Sequence, residues 1–187
     1  MDYPCPHPRL LAVLASVCAV ALALPAPALG ARACEAAKAT PANADDRTIV
    51  RATLCVLNAE RANAGLGPLR LNKRLSKAAR RHAEDMNRRN YFSHDTLGGG
   101  TFVDRIRQTG YLNGANYWTV GENIAWGTRD QAAPSGVAKM WMGSPGHRAN
   151  ILSGSFREIG IGLSDGAPVA RSPKPVAIYA TEFGAKR

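Results

Sequence analysis

The sequence has 187 residues, and its 24 lysines and arginines exceed its 14 aspartates and glutamates by ten, which gives a formal net charge of +10. Its hydrophobic fraction of 45% and charged fraction of 20% are those of a globular protein and exclude wholesale disorder or a fibrous repeat. The only long apolar stretch, residues 10–24, is shorter than the roughly 20 residues that a membrane-spanning helix needs, which excludes a multi-pass membrane protein.

The first thirty residues have the pattern of a secretory signal peptide. Arg9 gives a weakly positive start, an apolar run follows, and the small residues of "PAPALG" predict cleavage near Gly30. We therefore expect no membrane span in the processed protein. An uncleaved anchor is the alternative. Residues 31–45 are small and polar and predict a flexible leader, followed by one domain over residues 46–187.

Two cysteines, Cys34 and Cys55, remain after processing. In the oxidising compartment that a signal peptide implies, they are expected to form one disulfide. Closing a ring of this size would stabilise the fold by about 3 kcal/mol. Two free thiols are the alternative, and a zinc site on these cysteines is not supported because C-x₂₋₄-C spacing is absent.

Apolar residues at helical spacing, together with start and stop signals, predict four helices. They run from Asp45 to the "GLGP" stop, from the cap Asn72 through "KRLSKAARRHAEDMNRRN", from Thr101 to Gly110, and from Pro134 or Ser135 to Met142. Thr101 and Asp104 are expected to form a capping box. Pro145 and Gly146 are expected to end the last helix.

Three segments rich in β-branched and aromatic residues predict strands: "NYWTVGENIAWG", "EIGIGLS" and "PVAIYATEFG". The last two are expected to form a hairpin across a proline-containing loop. Because no βαβ unit repeats, the order of elements predicts an α+β fold with an antiparallel sheet.

Two of the three histidines that survive processing lie where a site can form. His94 in "YFSHD" and His147 in "SPGHR" are expected at segment ends, and Glu122 in "VGENIA" places a carboxylate in an apolar stretch, where it needs a polar or cationic partner. We expect these three side chains to converge in one cleft, beside Ser93, Asn123 and Ser144. His82, on the apolar stripe of the second helix, is expected to be a hydrogen-bonded core residue.

The same three groups suggest two kinds of site. Two imidazoles and a carboxylate form a donor set that zinc accepts with a position left open for water. A hydrogen-bonded knot that positions loops is the alternative. The H-E-x-x-H, G-x-S-x-G and P-loop motifs are absent, and Ser93 and Ser144 are expected to form turns or caps rather than act as nucleophiles.

Several segments together resemble, in their order and spacing, the CAP superfamily of cysteine-rich secretory, antigen 5 and pathogenesis-related proteins, in its bacterial SCP-like branch. They are "LNAERANAGLGPLRLN", "AARRHAEDM", "YFSHD", "GENIAWG", "MWMGSPGHRANIL", "REIGIGL" and a terminal "FG", and they span about Val50 to Gly184. The resemblance implies a three-layer α-β-α sandwich around a small antiparallel sheet. It also implies a large cleft with two histidines and two acidic residues, which binds zinc or another divalent ion in some members.

His94, Glu122 and His147 match three members of that tetrad. The fourth does not carry over, because Trp141 is followed by Met142, Gly143 and Ser144 rather than by an acidic residue. The resemblance therefore implies metal binding by three residues of this sequence at most.

These observations predict a secreted protein, outside the cell or at its envelope, that acts by binding a cleft ligand such as a lipid or an envelope component. The alternative is a zinc-dependent hydrolase in which His94 and His147 hold the metal and Glu122 is a ligand or the base. A purely structural envelope protein is a third possibility.

The basic residues near and on the second helix predict an anionic partner. They are Arg70, Lys73, Arg74, Lys77, Arg80, Arg81, Arg88 and Arg89. Outside the cytoplasm, a wall polymer or a lipid headgroup is favoured over nucleic acid, because no aromatic residues alternate with these charges to stack on bases. A solvated helix face is the alternative.

Overall fold

The computed structural model describes residues 34–169 and 172–187. The signal peptide predicted for residues 1–30 and its cleavage near Gly30 lie outside the described residues. Among the residues that are described, no helix is both long and apolar enough to cross a bilayer.

Five α-helices and four strands follow one another along the described chain. They are α1 (Asp46–Asn63), β1 (Arg70–Leu71), α2 (Lys73–Arg89), α3 (Phe102–Gln108), β2 (Trp118–Thr128), α4 (Pro134–Gly143), α5 (Pro145–Ile151), β3 (Glu158–Asp165) and β4 (Val176–Lys186). The predicted caps form as expected: Asn72 Oδ1 accepts from the Arg74 and Leu75 N–H groups of α2, and Thr101 and Asp104 form the capping box of α3.

Pro145 has a second role that the sequence pattern did not indicate. It follows the end of α4, as expected, but it is also the first residue of α5. Proline suits that position because its missing N–H would have no partner there and its ring fixes a helical φ. His147, expected at a segment end outside a helix, therefore lies in the first turn of α5.

The sheet has the order β1-β3-β4-β2. β3 pairs antiparallel with β4, as the predicted hairpin requires, and β4 pairs antiparallel with β2 over its whole length. The two residues of β1 add a short parallel edge beside β3. The α+β class predicted from the sequence is confirmed.

Alternating residues of β4 divide the core into two layers, because successive side chains of a strand point to opposite faces. Tyr179 and Phe183 pack with residues of α1, α4 and α5 on one face, whereas Ile178 and Ala180 pack with α2 on the other. α3 extends the α2 layer through Ile106, which packs against Leu75 and Ala78. Helices on both faces of the sheet make the three layers that the resemblance implied.

The disulfide predicted between Cys34 and Cys55 is confirmed, and its two Cα atoms are 5.8 Å apart. It joins the segment before α1 to the middle of that helix. The turns of this segment pack on the domain: Thr40 is buried, and the Ser135 N–H donates to the Ala37 carbonyl. The flexibility and the boundaries predicted for residues 31–45 stay predictions.

Candidate functional site

Glu122 and Asn123 are neighbours on β2 and connect the two helical layers at one place. Because adjacent strand residues point to opposite faces, Glu122 lies on the side of α2 and α3, and Asn123 lies on the side of α5. Both are buried. Each side chain holds a segment that carries one of the two predicted site histidines.

Glu122 holds His94. The His94 Nδ1–H donates to Glu122 Oε1 across 2.7 Å, and about half of the His94 side chain stays exposed. This bond to a carboxylate raises the pKa of His94 above its ordinary value. The other ring nitrogen, Nε2, remains available to a ligand. Because the pKa of the ring is raised, Nε2 keeps its proton to a higher pH than in an ordinary histidine.

His82 fixes the loop that presents His94. It is buried, and its Nε2 lies 2.9 Å from the Ser93 carbonyl oxygen, which only accepts, so Nε2 is the donor. Burial lowers the pKa of His82 and keeps the ring neutral in this role. His82 is thus the hydrogen-bonded core histidine that the sequence predicted. Through Ser93 it also helps to position His94.

Asn123 holds the start of α5. Its Nδ2 donates to the His147 carbonyl across 3.0 Å, and Asn150 Nδ2 donates to Asn123 Oδ1 across 2.9 Å and to the Glu122 carbonyl across 3.0 Å. These bonds place the start of α5 so that the ring centroids of His147 and His94 are 6.3 Å apart. Burial and the neighbouring charge of His94 lower the pKa of His147. The three residues predicted to converge therefore lie together.

The two serines predicted beside the cleft have local backbone roles. Ser93 Oγ accepts from the Asp95 N–H across 3.1 Å. Ser144 lies between α4 and α5, where its N–H donates to the Trp141 carbonyl and its carbonyl accepts from the Arg148 N–H. Neither arrangement prepares a nucleophile. Ser93 forms a local turn, and Ser144 is the N-cap residue of α5 without a side-chain capping hydrogen bond.

Two charged residues that the sequence analysis did not single out complete the site. Arg105 from α3 is buried, and its Nη2 donates to Glu122 Oε2. Glu182 lies opposite Glu122 in the β2–β4 register, is fully buried, and has its Oε1 atom 3.9 Å from Arg105 Nε. An acidic residue inside the apolar strand "IYATEFG" was the available signal for Glu182, whereas nothing in the pattern of α3 marked Arg105.

The cluster carries one negative charge against one positive charge. Burial would raise the pKa of Glu122, but the His94 hydrogen bond and the charge of Arg105 together lower it, so Glu122 is ionised. Burial and the adjacent charge of Glu122 raise the pKa of Glu182 well above its ordinary value. Glu182 is therefore a neutral acid, and neither of its oxygens has a hydrogen-bond partner among the described residues.

A metal held by His94, His147 and Glu122 does not fit this arrangement. Both carboxylate oxygens of Glu122 already accept, one from His94 and one from Arg105, and the guanidinium charge of Arg105 opposes a nearby cation. Within residues 34–169 and 172–187, no group of three His, Cys, Asp or Glu side chains is arranged to hold a metal ion. Metal binding by His94 and His147 alone stays a prediction.

Comparisons with known sequences agree with the resemblance. Residues 54–171 match the family model described as the cysteine-rich secretory protein family, CAP. The uncharacterized protein YkwD of Bacillus subtilis is 42% identical over 112 residues, which are 60% of this chain and 41% of YkwD. The uncharacterized membrane protein YlbC of the same species is 32% identical over 110 residues, 59% of this chain and 30% of YlbC. The chain thus matches less than half the length of each relative.

Two solved structures share the fold. An extracellular protein containing an SCP domain, from Bacillus anthracis, superposes with a TM-score of 0.59 at 25% identity, over 75% of this chain and 43% of that one. An outer surface protein of Borrelia burgdorferi superposes with a TM-score of 0.64 at 20% identity, over 77% of this chain and 97% of that one.

Proposed function

The chain belongs to the bacterial branch of the cysteine-rich secretory protein (CAP) family, and from that premise we propose that it is a secreted protein that binds an extracellular or envelope ligand at His94 and His147. Glu122 acts in this proposal as a support for His94. No covalent step is part of it.

The observation that carries the proposal is the half-exposed His94 ring on a fully engaged, buried carboxylate. Glu122 and Arg105 hold this ring in one orientation before any ligand arrives, which lowers the entropic cost of binding. His147 presents a second imidazole 6.3 Å away. A ligand group that accepts a hydrogen bond from His94 and contacts His147 fits this pair.

The zinc-dependent hydrolase is the less favoured reading, because it needs Glu122 as a ligand or a base. In a hydrolase the base must have a free oxygen within reach of a water, and both oxygens of Glu122 accept from protein donors. The same residue fits well as a structural anchor.

An extracellular location is supported by one neighbour in particular, the Bacillus anthracis protein, which is described as extracellular. We place a second contact with the envelope on the basic face of α2, defined by Lys73, Arg74, Lys77, Arg80, Arg81, Arg88 and Arg89. Its partner would be an anionic wall polymer or lipid, held by charge and therefore released by salt.

Native mass spectrometry of the secreted protein tests the cleft. We expect a small molecule to co-purify with the wild type and to be lost in the double variant His94→Ala/His147→Ala. Tyr117→Ala, which truncates an exposed ring outside the site, is the matched control and should keep the ligand.

The same spectra count bound ions. Equal retention of the ligand by the double variant and the wild type would contradict the proposal. One divalent ion per chain, lost with the two histidines, would favour the metal-dependent alternative.

A further inference from the structure

A cavity of about 350 Å³ lies between α2, α3 and the loop that follows α2. Four arginines line it: Arg81, Arg88 and Arg89 from α2, and Arg105 from α3. We call it the arginine cavity. It borders the buried cluster through Arg105, and neither His94 nor His147 lines it.

The acidic residues at the cavity neutralise these arginines only in part. Asp85 is shared by Arg88 and Arg89, so one carboxylate faces two guanidinium groups. Glu84 pairs with Arg80, which is not part of the lining. Arg81 has no ion pair among the described residues.

Arg105 adds a largely buried donor to the lining. It is 8% exposed, its Nη2 donates to Glu122, and its Nη1 has no hydrogen-bond partner among the residues that the structure describes. A buried donor without an acceptor costs free energy. An acceptor that reaches Nη1 would remove that cost.

We infer that the arginine cavity binds a phosphate group carried on an envelope polymer or lipid. The inference rests on the proposed attachment to anionic envelope components and names the site for it.

Phosphate fits this cavity better than a carboxylate does. Several guanidinium groups around one cavity match a tetrahedral anion that offers acceptor oxygens in several directions, and arginine binds phosphate through paired N–H donors. The volume is at the lower end of the range for small-ligand sites and leaves space for an ester substituent. Glu84, Thr96 and Gln108 also line the cavity and can bond to hydroxyl groups on such a substituent.

Calorimetric titration of the secreted protein in 0.15 M NaCl tests the inference, with inorganic phosphate, glycerol 3-phosphate and acetate as probes. We expect both phosphates to bind, and acetate at least tenfold more weakly. The double variant Arg81→Gln/Arg88→Gln should lose at least tenfold in phosphate affinity. Arg47→Gln/Arg51→Gln removes the same charge from exposed positions on α1, away from the cavity and the basic face of α2, and should lose less than twofold.

Vesicles of phosphatidylglycerol, with phosphatidylcholine vesicles for comparison, distinguish the sources of the phosphate. Retention on the former assigns a lipid headgroup, whereas binding of glycerol 3-phosphate without retention assigns a polymer. Equal losses in the two double variants, or equal affinity for acetate and phosphate, would overturn the cavity site. If the protein still bound anionic surfaces and salt released it, the proposed envelope attachment would stand without the cavity site. If the protein bound no anionic surface or ligand, both proposals would fail.

Discussion

At the scale of single residues, Glu122 determines what the other charged groups around it do. It is ionised because His94 and Arg105 both donate to it, and burial together with its charge keeps the proton on Glu182 of the neighbouring strand. Glu122 thus links an exposed imidazole to the buried guanidinium of Arg105, whereas neither oxygen of Glu182 has a hydrogen-bond partner among the described residues. The exposed ring owes its orientation to the largely buried side chains of Glu122 and Arg105.

The three histidines should titrate in a defined order. In an NMR titration we expect the pKa of His94 above 6.5, and the pKa values of His82 and His147 below it. Glu122→Gln should lower the pKa of His94, because it replaces the carboxylate that causes the increase. Glu60→Gln on α1 is the control and should leave it unchanged.

The linked effects on the free energy of unfolding have opposite signs. The contribution of His94 is complete below about pH 6.5 and is lost as the pH rises through its folded pKa. Those of His82 and His147 are present above about pH 6.5 and are lost as the pH falls through their folded pKa values. A His94 pKa at or below that of His147 would contradict the hydrogen bond to Glu122.

Because of Glu182, the protein should become less stable as the pH rises above about 4.5. Its folded pKa lies well above 4.5, so the folded state keeps a proton that the unfolded state releases. The free energy of unfolding therefore falls as the pH rises from about 4.5 through the folded pKa. Glu182→Gln removes that contribution. In urea unfolding, the free energy of unfolding of the variant should therefore rise relative to that of the wild type between pH 5 and pH 8. Parallel pH profiles would show that Glu182 is ionised in the fold.

At the scale of elements, α2 lies unusually close to the sheet. A Cβ at Gly160 would lie 2.0 Å from the Leu75 carbonyl carbon, and one at Gly162 would lie 2.2 Å from that of Ala79. Both contacts are with helix backbone, which cannot turn aside as a side chain can. The alternating glycines of "EIGIGLS" are therefore the reason that α2 can carry His82 down to the level of Glu122.

Gly162→Ala should destabilise the protein by at least about 2 kcal/mol, because an overpacked site must displace the helix. Gly154→Ala is the matched control, since its added Cβ would have its nearest neighbour at 3.8 Å, the Leu66 side chain. Urea unfolding at one pH measures both. A loss at position 162 no larger than that at position 154 would show that α2 does not approach the strand this closely.

At the scale of the whole molecule, α2 has one face that packs into the core and another that carries most of its charge. Its buried face consists of Leu75, Ala78, Ala79, His82, Ala83 and Met86, and seven of its other eleven residues are lysines or arginines. Periodicity alone predicted that division. The cavity and Arg105 are different, because they depend on where α3 packs against α2. The residue pattern of α2 does not predict that packing.

The sequence by itself determined the α+β class, most helix ends and the Cys34–Cys55 disulfide, because caps, apolar spacing and cysteine number are local or countable signals. It also indicated that His94, Glu122 and His147 converge, since a carboxylate in an apolar strand requires a partner. Only the tertiary structure decided which partners it has. Arg105 and Glu182 lie 17 and 60 positions away from Glu122 in the sequence, and packing of α3 and pairing of β4 bring them to it. That packing made Glu122 an anchor rather than a free metal ligand, because the charge next to a carboxylate depends on the fold and not on its neighbours in the chain.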